Sequence, residues 1–120
     1  MFTPNEIISQ YTRKDALDDG VLVDVTAMAR AVGFQWPVAV TAAVWSCIQD
    51  IPEQRGQDPT GRLWNLLVTA SQAARSHTVS ECRFQVKMPQ SHTNWLHVKL
   101  LAHAGDHGEP VITIMEPNED

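Results

Sequence analysis

Cysteine is scarce in this sequence. The 120 residues include two cysteines, Cys47 and Cys82, and both occupy apolar positions. Two isolated cysteines form neither a disulfide framework nor a CxxC metal site. We therefore interpret both as small buried hydrophobic residues, and their scarcity fits a reducing, cytoplasmic setting.

Long apolar runs are missing as well. The most apolar segment, Trp36–Ile48, is 13 residues long, whereas a membrane-spanning helix needs about 20. The N-terminus has no basic start followed by an apolar stretch, so we expect no secretory signal. These absences predict a cytoplasmic protein with no membrane partner, and the segment itself predicts a buried helix over residues 37–50.

Positive charge is in the minority. Nine Lys and Arg residues stand against 14 Asp and Glu residues, which gives a net charge of −5 and disfavours general nucleic-acid binding. With 43% apolar residues, the chain is predicted to form a single domain over residues 1–120. One block, residues 61–90, is basic, and we interpret its cations as the solvated faces of one helix and one strand. These cations are Arg62, Arg75, Arg83 and Lys87.

The common catalytic and cofactor motifs are absent. No dinucleotide-binding, phosphate-loop, zinc-protease, serine-hydrolase or EF-hand pattern occurs, so we expect no cofactor, and a non-enzymatic role is favoured. His97, His103 and His107 come closest to a metal-binding cluster. However, same-face residues six apart on a strand lie roughly 20 Å apart. We therefore expect no metal site and assign no catalytic residue.

A change in hydrophobic period divides the chain. Before His77 the apolar residues recur every three or four positions, and after it they alternate. This pattern predicts an α+β fold in which N-terminal helices pack on a C-terminal three-stranded antiparallel meander, with a short extra strand at residues 21–25. The predicted helices span about 3–10, 12–20, 27–32, 37–50 and 59–76, and the predicted strands about 82–88, 96–102 and 111–115. Val44 and Leu67 are predicted core residues of the two most apolar helices.

Trp95 is the strongest candidate for a functional residue. It alternates with Leu96, Val98 and Leu100, which we expect to face the helices, so Trp95, His97, Lys99 and Leu101 should face outward. Large apolar side chains that are exposed among polar ones are typical of protein interfaces. We therefore predict a protein-binding surface here, with Asp106 and Glu109 of the following turn nearby to attract a basic partner. The alternative is a sheet that is buried on both faces.

Several segments resemble a known family. They are Tyr11–Ala16, DGVLVDVT at 19–26, AVGF at 31–34, PVAVTAAVW at 37–45 and QDPTGRLWNLL at 57–67. In these segments, within residues 10–70, the chain resembles a family of small, functionally uncharacterised bacterial proteins that plasmids and other mobile elements carry. The resemblance implies no catalytic residue. It suggests a protein that protects such an element from host defence.

The leading functional hypothesis is therefore a small counter-defence inhibitor, of the anti-CRISPR or anti-restriction kind. Such a protein would act by binding a host protein or ribonucleoprotein complex. Two alternatives stay open. One is a small enzyme that uses the histidine-bearing strand, and the other is a self-associating module of plasmid maintenance, for which a homodimer is allowed.

Overall fold

The computed structural model describes residues 11–50, 59–75, 80–88 and 95–119. Within them the chain forms four helices and five strands. In chain order these are α1 (Arg13–Asp18), β1 (Leu22–Asp24), α2 (Thr26–Ala31), β2 (Val38–Thr41), α3 (Ala42–Gln49), α4 (Pro59–Arg75), β3 (Glu81–Lys87), β4 (Trp95–Ala104) and β5 (Pro110–Met115). The helix predicted over residues 3–10 lies outside the described residues.

All five strands join one mixed sheet in the order β1-β2-β5-β4-β3. β2 runs parallel to β5, and the other neighbouring pairs are antiparallel. The prediction of N-terminal helices on a three-stranded antiparallel meander is therefore wrong, although the α+β content is present. The N-terminal half itself supplies two strands to the sheet, and one of them pairs with the C-terminal strand.

The segment predicted as one helix over residues 37–50 forms two elements. Val38–Thr41 is a strand, and the helix begins only at Ala42. Val38, Ala39 and Val40 are at most 2% exposed, as is typical of a strand buried on both faces. A run that is apolar at nearly every position has no clear period, so its periodicity does not distinguish such a strand from a buried helix.

Helices α2, α3 and α4 cover the inner face of the sheet. Their apolar side chains form one core with the inward residues of the strands, and Val44, Ile48, Leu66, Leu67, Val98 and Ile114 in that core are fully buried. The predicted core positions Val44 and Leu67 are confirmed. Among the described residues, no helix combines the length and the apolarity that crossing a membrane requires.

Helix α1 lies against the other, outer face of the sheet. The side chain of Thr12 accepts a hydrogen bond from the Asp15 backbone N–H, and the Asp15 carboxylate accepts one from the Thr12 N–H, which makes a capping box. This pair of residues predicts the helix start from sequence, and the structure confirms it. The Arg13 side chain then reaches β5 and attaches the helix to the sheet.

Candidate functional site

The alternation along β4 places its residues on the two faces as predicted. Leu96, Val98 and Leu100 belong to the core on the inner face. Trp95, His97, Lys99 and Leu101 point to the outer face, but their exposure differs along the strand. Trp95 is 47% exposed and His97 is exposed, whereas Lys99 is only 9% exposed and Leu101 is partly buried. The outer face is thus open at the Trp95 end of β4 and covered near the middle.

The neighbouring strand β3 extends this open area. Lys87 lies opposite Trp95 and Gln85 opposite His97, so the side chains of each pair share the outer face. Arg83 lies opposite Lys99, and its Nε is 3.5 Å from a carboxylate oxygen of Glu81 in an exposed ion pair. We name these outer-face residues the β3–β4 face: Arg83, Gln85, Lys87, Trp95 and His97. Glu81, at the start of β3, lies on the same side of the sheet and pairs with Arg83, so the exposed cations Arg83 and Lys87 outnumber this carboxylate and the net charge is positive.

The structure does not bring Asp106 and Glu109 next to Trp95. They follow the far end of β4, and about ten residues of strand, roughly 30 Å, separate that end from Trp95. Both carboxylates instead bind nearby backbone. Glu109 accepts a hydrogen bond from the His107 N–H at 2.9 Å.

Asp106 caps helix α1 from a distant part of the chain. Its two carboxylate oxygens accept hydrogen bonds from the Arg13 N–H at 2.7 Å and the Lys14 N–H at 3.0 Å. These backbone donors, first that of Arg13 and then that of Lys14, lower the pKa of the Asp106 carboxyl below its ordinary value. Asp106 therefore has a structural role, because it holds the start of α1 at the end of the sheet where β4 ends.

Sequence reasoning missed a groove on the outer face beside α1. It holds about 800 Å³ and lies between α1, the start of β1 and the far ends of β4 and β5. Leu101 and Met115 give it an apolar floor, and Arg13, His103 and Thr113 give it polar groups. Its volume falls within the usual range of ligand pockets. The lining residues come from four separate segments of the chain, so no local sequence motif predicts the groove.

A hydrogen-bond network joins the three polar residues of the groove. Arg13 Nη1 donates to Thr113 Oγ1 at 2.7 Å, and Thr113 Oγ1 lies 2.8 Å from His103 Nε2. His103 Nδ1 lies 3.0 Å from the Ala104 carbonyl oxygen, which can only accept. The neutral tautomer that satisfies both contacts has its proton on Nδ1, and in that tautomer Nε2 accepts a hydrogen bond from the Thr113 hydroxyl.

Arg13 is the half-buried cation of this network. Burial lowers the pKa of its guanidinium, and the nearby carboxylates of Asp24, Asp106 and Glu109 act in the opposite direction. Arginine nevertheless stays charged at physiological pH. Arg13 Nη2 also donates to the Ile112 carbonyl at 2.9 Å, so the guanidinium bridges α1 to β5.

The cysteines have no feature of a catalytic nucleophile. Cys82 is buried, Cys47 is partly buried, and both thiols are free. Burial is the largest cause that raises the pKa of each thiol, so the reactive thiolate is disfavoured. Across the described ranges, no group of three or more His, Cys, Asp or Glu side chains is placed to hold a metal ion.

Comparison with known proteins adds one finding. A family model described as a family of unknown function, DUF6573, matches residues 1–120. The chain belongs to this family. Among curated proteins and solved structures, none matches the chain. The DUF6573 membership covers the whole length, so both the β3–β4 face and the groove lie within the matched region.

Proposed function

We propose that this DUF6573 protein is a non-enzymatic binding protein that acts in the cytoplasm by docking on another protein through its β3–β4 face. The observation that carries the proposal is the 47% exposure of Trp95 among the exposed polar side chains of two paired strands. Tryptophan is enriched among the residues that dominate binding energies, because it buries a large, rigid area. A sheet face also holds such a side chain in a fixed position.

The charge of the β3–β4 face defines the chemistry of the partner. Arg83 and Lys87 are exposed there and Lys99 lies opposite Arg83, whereas Glu81 is the carboxylate that pairs with Arg83, so the net charge is positive. Complementary potentials accelerate encounter and fix orientation at interfaces. The partner should therefore present an acidic surface with an apolar pocket for Trp95. The sequence predicts a basic partner instead, because it suggests that Asp106 and Glu109 lie near Trp95. In the structure these acids lie at the other end of β4, so an acidic partner is proposed in place of a basic one.

The more specific proposal concerns the identity of the partner, which we take to be a host protein or ribonucleoprotein complex of a defence system. Its support is the resemblance to bacterial proteins of mobile elements, together with the small size of the chain. The protein would then be an anti-CRISPR or anti-restriction inhibitor. A matched pair of transformation assays tests this in cells with and without the defence system. Wild-type protein should restore plasmid entry, and the absence of any effect would refute the more specific proposal.

The docking proposal is tested with a matched pair of tryptophan variants. Tagged wild-type protein, Trp95→Ala and Trp64→Ala are used for affinity capture from host lysate, and captured proteins are identified by mass spectrometry. Trp64 is 42% exposed on α4 and serves as the control. A specific partner should be retained by wild type and Trp64→Ala and lost with Trp95→Ala. Equal capture by all three proteins would contradict the proposal, provided that circular dichroism shows all three folded.

The histidine-bearing strand supports a second candidate function, a small acyl-transfer enzyme. The specific observation is the 2.8 Å contact between Thr113 Oγ1 and His103 Nε2 in the groove, since a hydroxyl next to an acceptor imidazole is the arrangement of an activated nucleophile. A panel of activated esters tests it. Turnover that disappears in both Thr113→Val and His103→Gln would support this function, and turnover that survives both would exclude it.

A further inference from the structure

Strand β3 forms one edge of the sheet. In the sheet order it follows β4 at the end, and its other side faces no strand in the described part of the chain. The strand is seven residues long, Glu81–Lys87. An edge strand of this length presents a row of backbone donors and acceptors that suits pairing with another strand.

The register shows which residues carry these outward groups. The Ala102 N–H donates to the Ser80 carbonyl at 2.7 Å, so Ser80 and Ala102 are a hydrogen-bonded pair of the β3–β4 ladder. Hydrogen-bonded and non-hydrogen-bonded pairs alternate along an antiparallel ladder. The even-numbered residues of β3 therefore bond to β4. The odd-numbered residues point their N–H and C=O groups outward, and these are Glu81, Arg83, Gln85 and Lys87.

The side-chain charges of β3 complement those of a second β3 strand that runs in the opposite direction. When two copies of β3 pair antiparallel about Phe84, Glu81 lies opposite Lys87 of the partner subunit, and Arg83 lies opposite Gln85 of the partner subunit. A shift that brings Arg83 opposite its own copy, or opposite the partner's Lys87, juxtaposes like charges, which is destabilising across strands. Among the registers that pair the whole strand or nearly all of it, the charge pattern thus favours this one; a register with Glu81 opposite Arg83 also pairs opposite charges, but it joins only the first three strand residues.

Hydrogen bonding and apolar packing favour the same register. It pairs odd-numbered residues with odd-numbered residues, so every outward backbone group meets an outward group of the other copy. On the inner face, Phe84 meets Phe84 of the partner subunit, and Cys82 meets Val86 of the partner subunit. Phe84 is only partly buried in the single chain, so pairing removes further aromatic surface from water.

We propose that two copies of this protein form a dimer by pairing their β3 strands antiparallel about Phe84. The two five-stranded sheets then join into one continuous sheet. The dimer presents two β3–β4 faces on the same side of that sheet, related by a two-fold axis. This inference stands apart from the docking function, because it rests on the backbone edge and the β3 charges and not on Trp95.

A charge-reversal cycle tests the register. Lys87→Glu places like charges opposite each other at both symmetric positions, and it should weaken dimerisation by about tenfold or more in sedimentation or light-scattering titrations. Glu81→Lys should have a similar effect, and the double variant Glu81→Lys/Lys87→Glu should recover the wild-type affinity. Arg30→Glu, an exposed reversal on α2, is the matched control and should leave the dimer unchanged.

A backbone variant tests the edge independently. The N–H of Gln85 points outward, so Gln85→Pro removes a donor that β4 does not use, and it should abolish the dimer while the folded monomer persists. Wild-type protein that stays monomeric throughout the concentration series would overturn the proposal. A dimer whose affinity is unchanged by both Lys87→Glu and Gln85→Pro would also overturn the proposal. If Gln85→Pro fails to fold, the charge-reversal cycle decides, since its substitutions lie on the exposed outer face.

Discussion

Arg62 occupies an environment that is unusual for an arginine, a residue rarely buried completely. It is 2% exposed on α4, and its Nη1 donates to the carbonyl oxygens of Cys47 at 3.0 Å and Asp50 at 3.1 Å. These carbonyls belong to the C-terminal end of α3, where the last backbone acceptors have no partner within the helix. The prediction that all the cations of residues 61–90 are solvated is therefore wrong for Arg62. Spacing along one helix does not show that the end of another helix needs a donor.

This contact predicts a large stability loss on Arg62→Ala. The truncation leaves carbonyl oxygens of the α3 terminus without their donor, so the free energy of unfolding should fall by about 2–3 kcal/mol. Chemical denaturation measures the loss. Arg30→Ala, at an exposed position on α2, should change it by less than about 0.5 kcal/mol. Equal effects of the two substitutions would refute the capping role.

Asp106 gives a prediction for pH. Its pKa is lower in the folded protein than its ordinary value of 3.8. The stabilisation from the charged carboxylate is therefore fully present above pH 3.8 and is lost as the pH falls through the lower folded-state pKa. Asp106→Asn should lower the melting temperature at neutral pH, because an amide cannot accept both hydrogen bonds at the start of α1. The difference from wild type should narrow well below pH 3.8, and a difference that is independent of pH would contradict the assignment.

The elements differ in how far the sequence determines them. The capping pair Thr12 and Asp15 and the alternation in β4 are local signals, and both predict the structure correctly. The strand β2 is not predictable in this way, because its parallel partner β5 lies about seventy residues further along the chain. Thr41 marks the actual boundary, since its side chain accepts a hydrogen bond from the Val44 N–H and caps α3. Thr41, a threonine inside an apolar run, is the one sequence signal that could have predicted this boundary between β2 and α3.

Helix α3 provides a matched test of core packing. Val44 is completely buried, whereas Val21 is 49% exposed. Val44→Ala should lower the free energy of unfolding by about 2 kcal/mol, because it removes buried apolar surface and leaves a cavity. Val21→Ala should have little effect, and similar melting temperatures for the two variants would contradict the placement of α3 against the sheet. Leu67→Ala on α4 should behave as Val44→Ala does.

At the scale of the whole molecule, charge is separated along the sheet. Near α1 and the turn after β4, the acids Asp15, Asp18, Asp106 and Glu109 outnumber the cations Arg13 and Lys14. At the other end, Arg83 and Lys87 outnumber Glu81, so the net charge there is positive. The sequence predicts which side of β4 faces outward. It does not predict which acids lie near Trp95, because that depends on strand direction and length, and contacts such as Arg13 to Asp106 join residues 93 positions apart. The groove beside α1 is unpredictable for the same reason.

The docking function itself is tested most directly by a binding titration between the captured partner and purified protein. Trp95→Ala should raise the dissociation constant about thirtyfold or more, which corresponds to about 2 kcal/mol for an aromatic anchor. Trp64→Ala should leave it within about twofold of the wild-type value, and added salt should slow association with the cationic face. Circular dichroism and melting curves are recorded for each variant. A folded Trp95→Ala protein that binds as tightly as wild type would contradict the account, because the β3–β4 face would then not be the binding surface.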